Sequence, residues 1–207
     1  MLTWIHSKVT TLVSGFKAVF ALVWVLVTLT AHAGQADTAL SFPIGGHYEL
    51  TDQYGQTRTE KDLGGRYQLV FFGYVECPAM CSTALPLMAD VVTQLSMQGH
   101  DLTPVVITIV PERDTVEAMV KPLAKLHPDF IGLTGGEEAL DIAYNAYSIR
   151  KSKLFKDSIH GWIYSHGTFI HLLDPDGKVL ALLRPTSHAD HIANTIQGFL
   201  EPEVALK

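Results

Sequence analysis

Val70-Phe71-Phe72-Gly73-Tyr74-Val75-Glu76-Cys77-Pro78-Ala79-Met80-Cys81-Ser82 contains both cysteines of the 207-residue chain. An apolar, β-prone run from Tyr67 leads into them, and a helical pattern of Leu85, Met88, Ala89, Val92 and Leu95 follows. The spacing predicts a strand, a short turn, and a helix with both sulfurs on its first turn or just before it. Residues four apart share a helix face, about 5–6 Å apart at Cβ. The free N–H groups and dipole of a helix start favour thiolate over thiol. Two such sulfurs side by side suit either a reversible disulfide or a clamp for a soft metal.

Working outward, Ile44 to Gly55 reads as a short strand and turn, with Gly45-Gly46 and Gln53-Tyr54-Gly55 as breakers. The helix behind the cysteines runs to about Met97 and stops near Gly99. Thr103 to Val110 is a continuous β-branched run, the pattern of a central strand covered on both faces. Asp114 with Glu117 resembles a capping box opening a helix through Leu126. Ile131 to Leu133 is a short extended piece, and Glu137 to Tyr147 is helical. Residues 150–163 are basic and mixed with no clear period, and read as a long loop. Thr168–Leu173 and Val179–Leu183 flank Asp174-Pro175-Asp176-Gly177, a hairpin signal. Ser187 with Asp190 opens a last amphipathic helix carrying Ile192, Ile196 and Phe199. Helical crossovers make the first core strands parallel, and the hairpin makes the last pair antiparallel. The expected fold is α/β: a thioredoxin-like mixed sheet flanked by helices, with an N-terminal β-hairpin extension.

Residues 1–33 hold Lys8 and Lys17 but no acid, an apolar run from Ala18 to Leu29, and Ala31-His32-Ala33 before Gly34. This is the form of a secretory signal peptide with a small-x-small cleavage site. The alternative is an uncleaved membrane anchor, and the apolar run is shorter than the ~20 residues a spanning helix needs. Either way the domain of residues 34–207 is expected outside the cytoplasm, in the periplasm, free or tethered to the inner membrane. Loss of the two lysines takes the formal charge from −6 to −8, which argues against a nucleic-acid partner. The remaining 174 residues (207 minus 33) suffice for one domain with a full core. A bridge between cysteines so close would close a tiny loop and add little entropic stability, so the pair reads as functional.

Taken together, Gly45-Gly46 with Leu50-Thr51-Asp52, Phe72-Gly73-Tyr74 with Cys77-Pro78-x-x-Cys81, Pro111-Glu112-Arg113-Asp114-Thr115, Phe130 to Gly135, and His166 before Phe169 to Gly177 resemble the Sco/SenC family. These stretches follow the family's order over nearly the whole mature chain. The resemblance implies a thioredoxin-like fold and one copper held by two cysteines and a distant histidine. By position these are Cys77, Cys81 and His166. It also implies a part in cytochrome c oxidase assembly, as a copper carrier to an oxidase subunit, as a thiol-disulfide partner, or as both. The chain departs from the family pattern at Val110 and Ser165, where acids commonly stand, and at Ser82, where proline is common.

Cu(I) prefers thiolates and accepts imidazole, and Cu(II) also accepts this set. Both sulfurs must be reduced to bind. Two function classes follow. One is an exported copper chaperone, fed by a periplasmic copper donor or thiol reductant and passing copper to a cuproprotein such as the oxidase. The other is a thiol-disulfide oxidoreductase, with Cys77 as nucleophile and Cys81 as resolving thiol. The spacing is one residue longer than Cys-x-x-Cys, and His166-Gly167-Thr168 holds no proline; both features favour the metal. A peroxide-reducing relative would need Thr-x-x-Cys, and Tyr74 stands three before Cys77. Met80, His160, His171 and the pair His188/His191 are read as packing or surface residues before ligands. Arg113 and Asp114 suit a turn and cap, and Tyr74 and Glu76 the approach to the sulfurs.

Overall fold

The computed structural model describes residues 43–201; the signal or anchor, its boundary after Ala33, and the polar lead to Ser41 lie outside the described residues. In chain order the elements are β1 (Leu50–Asp52), β2 (Thr57–Arg58), β3 (Tyr67–Gly73), α1 (Cys81–Ser96), β4 (Leu102–Thr108), α2 (Val116–Leu126) and β5 (Ile131–Thr134). They continue with α3 (Glu137–Ala146), β6 (Ser152–Asp157), β7 (Gly161–Ser165), β8 (Ile170–Leu173), β9 (Val179–Leu183) and α4 (Ala189–Leu200). Seven strands form one mixed sheet in the order β2-β1-β5-β4-β3-β8-β9. β3, β4 and β5 are parallel, as helical crossovers require, and β8 and β9 run antiparallel to their neighbours.

The two faces of β3 show why the sheet is covered on both sides. Phe72 meets Tyr144 and Tyr147, at and just past the end of α3, with ring centroids 6.2 and 5.2 Å away. One residue on, the opposite face of Gly73 looks at the sulfur of Cys81, the first residue of α1. β4 is buried along its whole length, which is why its sequence is a run rather than an alternation. α1 ends where Gly99 takes the left-handed conformation (φ +88°) and His100 N–H returns to Leu95 C=O at 2.9 Å. The turn between β8 and β9 closes as expected. The Asp174 carboxylate accepts from the N–H groups of Asp176 and Lys178 at 3.0 and 2.9 Å, and Gly177 has φ +81°.

The N-terminal hairpin β1–β2 extends the main sheet, because β1 pairs antiparallel with β5 as well as with β2. Three expectations change in detail. Residues 150–163 are not a loop but most of a second, two-stranded sheet, β6–β7. Nearly all of β6 is exposed on both faces, so no alternation of apolar and polar residues marks it. The cap of α2 is Thr115, whose Oγ1 accepts from Ala118 N–H at 3.3 Å. Asp114, read as that cap, is buried and turned towards the cysteine loop. The residue preceding α4 is His188 rather than Ser187, and its side chain makes no capping bond.

Candidate metal centre

β3 delivers the chain to the site, and the loop Tyr74–Met80 carries it into α1. Cys81 begins the helix, while Cys77 sits in the turn before it. The pair therefore converges through a turn, not through one continuous helix face. Both cysteines are free, and their exposures are 5% for Cys77 and 1% for Cys81. β8 pairs antiparallel with β3, Ile170 opposite Phe71, so the start of β8 lies at the end of β3. That register carries His166, four residues before Ile170, to the cysteines. The ligand-capable atoms of Cys77, Cys81 and His166 all lie within 4.8 Å of one another. Among the described residues no other group of three or more His, Cys, Asp and Glu converges in this way.

The histidine's tautomer is set by its neighbour. Its Nδ1 lies 2.7 Å from the carbonyl oxygen of Gly167, which can only accept, so Nδ1 carries the proton. In the neutral ring the lone pair is then on Nε2, which stands 3.6 Å from Cys81 Sγ. Phe71 and Tyr74 pack edge-on against the ring at centroid distances of 5.8 and 6.3 Å and fix its plane.

The two sulfurs differ in charge. The neighbouring Cys81 thiol pulls the Cys77 pKa down to about 4, against the cost of burial and with help from the Ala79 N–H, 3.4 Å from the sulfur. Cys81 is pushed in the opposite direction by its interaction with Cys77 and by burial, and keeps the shared proton. Burial, reinforced by the charge on Cys77, pushes the Tyr74 phenol up to about 12, so it stays protonated.

Three residues support this arrangement without offering a ligand. A Cβ at Gly73 would lie 2.5 Å from Phe71 Cε1 and 3.0 Å from Cys81 Sγ, so only glycine leaves room for the sulfur. The Asp114 carboxylate accepts from Val75 N–H at 3.1 Å and from Thr108 Oγ1 at 2.9 Å, which pins the cysteine loop to the end of β4. The Arg113 guanidinium lies over the Tyr74 ring, 4.7 Å from its centroid, and donates to the His160 carbonyl, tying the tip of the β6–β7 hairpin to the same loop. The sequence gives a hint of Gly73, a glycine ending an apolar strand, but none of the roles of Asp114 and Arg113, whose partners are 39 and 47 residues away.

Met80 is partly buried against the core. His171 is buried between Phe72 and Tyr147, facing away from the sulfurs. His160 bonds Asp157 at 2.9 Å in the hairpin tip. His188 and His191, at the start of α4, take no part in the cluster.

A mixed sheet with a dithiol turn after a central parallel strand, and an imidazole presented by the facing antiparallel strand, defines a thioredoxin-like dithiol–imidazole protein. Residues 36–201 match the SCO1/SenC family model, and the chain belongs to that family. It is 34% identical over 161 residues to the human protein SCO1 homolog, mitochondrial, covering 77% of this chain but only 54% of the human protein's length. It is 33% identical over 156 residues to an SCO2-like protein of Rickettsia felis, covering 75% of this chain and 76% of that protein. Among solved structures it resembles Arabidopsis thaliana ScoI with copper bound (TM-score 0.73, 26% identity, 77% of this chain and 99% of that one). It also resembles yeast Sco1 with copper bound (TM-score 0.71, 28% identity, 80% and 92%).

Proposed function

We propose that this chain is an exported copper carrier. It holds one copper through Cys77, Cys81 and His166 and passes it to a cuproprotein, the copper-bearing subunit of cytochrome c oxidase being the favoured acceptor. The observation that carries this is the donor set itself: two reduced sulfurs and an imidazole Nε2 with its lone pair free, within 4.8 Å. Two thiolates and an imidazole suit Cu(I) and tolerate Cu(II). The copper bound in the plant and yeast relatives supports the same choice of metal. Both sulfurs are buried and His166 is half-buried, and a cleft of about 720 Å³ opens beside Cys77. A cargo metal needs such an exit.

Residues 1–33 serve in this reading as export signal or anchor, and residues 34–207 as the working domain. N-terminal sequencing of the exported protein separates the two: Gly34 as the first residue means cleavage, Met1 means an anchor.

The test is a Cu(I) competition titration of the reduced chain beside Cys77→Ser, Cys81→Ser and His166→Ala. One equivalent bound tightly by the parent, with each substitution lowering affinity, supports the site. Unchanged stoichiometry and affinity in all three would overturn it.

One observation favours a second reading, a thiol-disulfide reductase. Cys77 borders the cleft while Cys81 lies behind it, the arrangement of an attacking and a resolving thiol. Cys77 thiolate would attack a partner disulfide, forming a mixed disulfide and releasing one partner thiolate. Cys81, giving up its proton, would then displace the second, leaving Cys77–Cys81 oxidised and the partner reduced by two electrons. Trapping of a mixed disulfide by the Cys81→Ser variant, together with weak copper binding, would select this reading.

A further inference from the structure

The β6–β7 hairpin holds an apolar surface out to solvent. Of the eight large apolar side chains exposed among the described residues, four fall within residues 154–162: Leu154 (58%), Phe155 (58%), Ile159 (84%) and Trp162 (41%). They do not belong to a poorly packed loop. Ile163 on the same ribbon is 4% exposed, Tyr164 packs edge-on against Tyr74 at 6.5 Å, and Arg113 donates to the His160 carbonyl. The hairpin is fastened to the body of the protein, and the four apolar groups are what it presents.

The strand pairing shows how they are arranged. Lys153 is opposite Tyr164 and Lys156 opposite Trp162, so these four side chains share one face of the ribbon. On that face Lys153 Nζ stands 5.2 Å from the Trp162 ring centroid. Phe155 pairs with Ile163 and belongs to the other face, Leu154 lies at the register shift between Lys153 and Phe155, and Ile159 is in the turn. Apolar groups therefore project from both faces and from the tip. A folded partner pressed on such a ribbon covers one face, whereas a fluid interface closes round both. Tryptophan and aliphatic side chains among lysines are also the composition of a segment that rests in a lipid headgroup layer.

Charge selects the kind of interface. Residues 150–157 carry Arg150, Lys151, Lys153 and Lys156 against Asp157, a local charge of +3 (four minus one) in a chain of formal charge −6. Asp157 is occupied within the hairpin, accepting from the N–H groups of Ile159 and His160 at 2.8 and 2.7 Å, while Lys153 and Lys156 are exposed. An anionic surface attracts this patch and repels the acidic remainder, which decides the end of the molecule that approaches.

We infer that the β6–β7 hairpin is a membrane-contact element: Leu154, Phe155, Ile159 and Trp162 enter the headgroup region of an anionic phospholipid bilayer, and Lys153 and Lys156 meet its phosphates. Insertion is shallow, because the outer edges of a two-stranded ribbon carry backbone groups that need water. Ile159 and His160 also line the cleft beside Cys77, so this contact turns the mouth of that cleft to the membrane surface. The inference stands apart from the copper reading, since lipid contact needs no metal.

The test reads the position of one side chain. In the full chain, reduced and metal-free, Trp4→Phe and Trp24→Phe leave Trp162 as the single tryptophan. Its emission is followed on vesicles of phosphatidylcholine mixed with phosphatidylglycerol, plain or brominated on the acyl chains. Only Trp162 reports, so lipid contact by residues 1–33 adds no signal. A blue shift and quenching by the brominated lipid are expected. The quenching should fall about fivefold in Lys153→Glu with Lys156→Glu, and on phosphatidylcholine alone. Phe155→Ser with Ile159→Ser should lower it as much without removing its dependence on phosphatidylglycerol. Lys61→Glu with Lys178→Glu, in the pocket lined by Gly45 and Glu60, should leave it within about a quarter of the parent value. Cu(I) affinity and far-ultraviolet circular dichroism should be the same for all variants, which separates lost contact from lost folding. No quenching in the parent, or equal quenching in the parent and the charge-reversed hairpin, overturns the inference. So does a blue shift that grows with protein concentration in the absence of vesicles, which would give the surface to a second copy, or one caused by a soluble copper-acceptor domain and not by vesicles.

Discussion

His166 Nε2 stands 3.6 Å from Cys81 Sγ, while the other ring nitrogen is bound to the Gly167 carbonyl at 2.7 Å. The two contacts belong together. The carbonyl holds the proton on Nδ1, so the ring meets the sulfurs with an acceptor, which is what a metal ion needs and a positively charged imidazole could not give. His166→Ala should lower Cu(I) affinity by tenfold or more, yet change unfolding free energy by less than about 1 kcal/mol, because the ring is only half-buried. His166→Met, which restores a soft donor, should recover part of the affinity. Competition titration and urea unfolding read the two effects separately.

Gly73 is the last residue of β3 and lies against the sulfur of Cys81. An alanine Cβ there would meet the Phe71 ring at 2.5 Å and Cys81 Sγ at 3.0 Å, and Phe71 is fully buried, so neither can move freely. Gly73→Ala should destabilise by about 1–3 kcal/mol, the usual cost of overpacking. It should also cut copper affinity by displacing Cys81. Gly198→Ala, inside α4 where a Cβ meets nothing within 4 Å, is the control and should neither destabilise nor change copper affinity.

Asp114 links the cysteine loop to the sheet. Asp114→Ala leaves the Val75 N–H and the Thr108 hydroxyl without their acceptor. Each orphaned buried donor costs about 1–3 kcal/mol. The chain should therefore lose stability and hydrogen-exchange protection at Val75, and copper should leave faster from the loosened loop. Thr115→Ala, which removes the true helix cap, should cost about 1 kcal/mol and leave the copper off-rate unchanged.

Two buried groups titrate against each other. Burial raises the Asp114 carboxyl to about 6 from 3.8, even though Thr108 and Val75 hydrogen-bond it. As pH rises from about 4 to about 6 the unfolded chain ionises this group and the folded chain does not, so its contribution to stability is lost over that window. Burial lowers His171 to about 4 from 6.5. As pH falls from 6.5 to about 4 the unfolded chain takes up a proton that the folded chain refuses, so stability is lost in the opposite direction. Either effect has a ceiling of about 3 kcal/mol, at 1.36 kcal/mol per unit. Between pH 4 and 6 they oppose each other. Denaturant unfolding across this range should show Asp114→Asn losing stability more steeply than the parent on acidification. His171→Phe, whose ring can rest against Phe72 and Tyr147, should lose less than the parent or gain. Parallel curves for all three proteins would contradict both assignments.

The sequence determined by itself what depends on near neighbours. Tyr67 to Ser96 could be read as strand, turn and helix because an unbroken apolar run gives way to a 3.6-residue period. The β8–β9 hairpin could be read from Asp174 to Gly177. The pairing of Cys77 with Cys81 follows from four residues of spacing. His166 came from likeness to a family, since nothing in its own surroundings marks it out. Only the tertiary structure decided how it meets Cys81, 85 positions away: the antiparallel register of β8 on β3 sets the distance, and the Gly167 carbonyl sets which nitrogen faces the sulfur. The same holds for Asp114, whose spacing to Glu117 suggests a cap but whose carboxylate is claimed by Val75, and for β6, which carries no periodic signal because water touches both its faces. Local spacing sets periodicity, and periodicity sets secondary structure. Contacts across the sheet depend on register and on which buried polar groups are left needing partners, and those are fixed only when the strands come together.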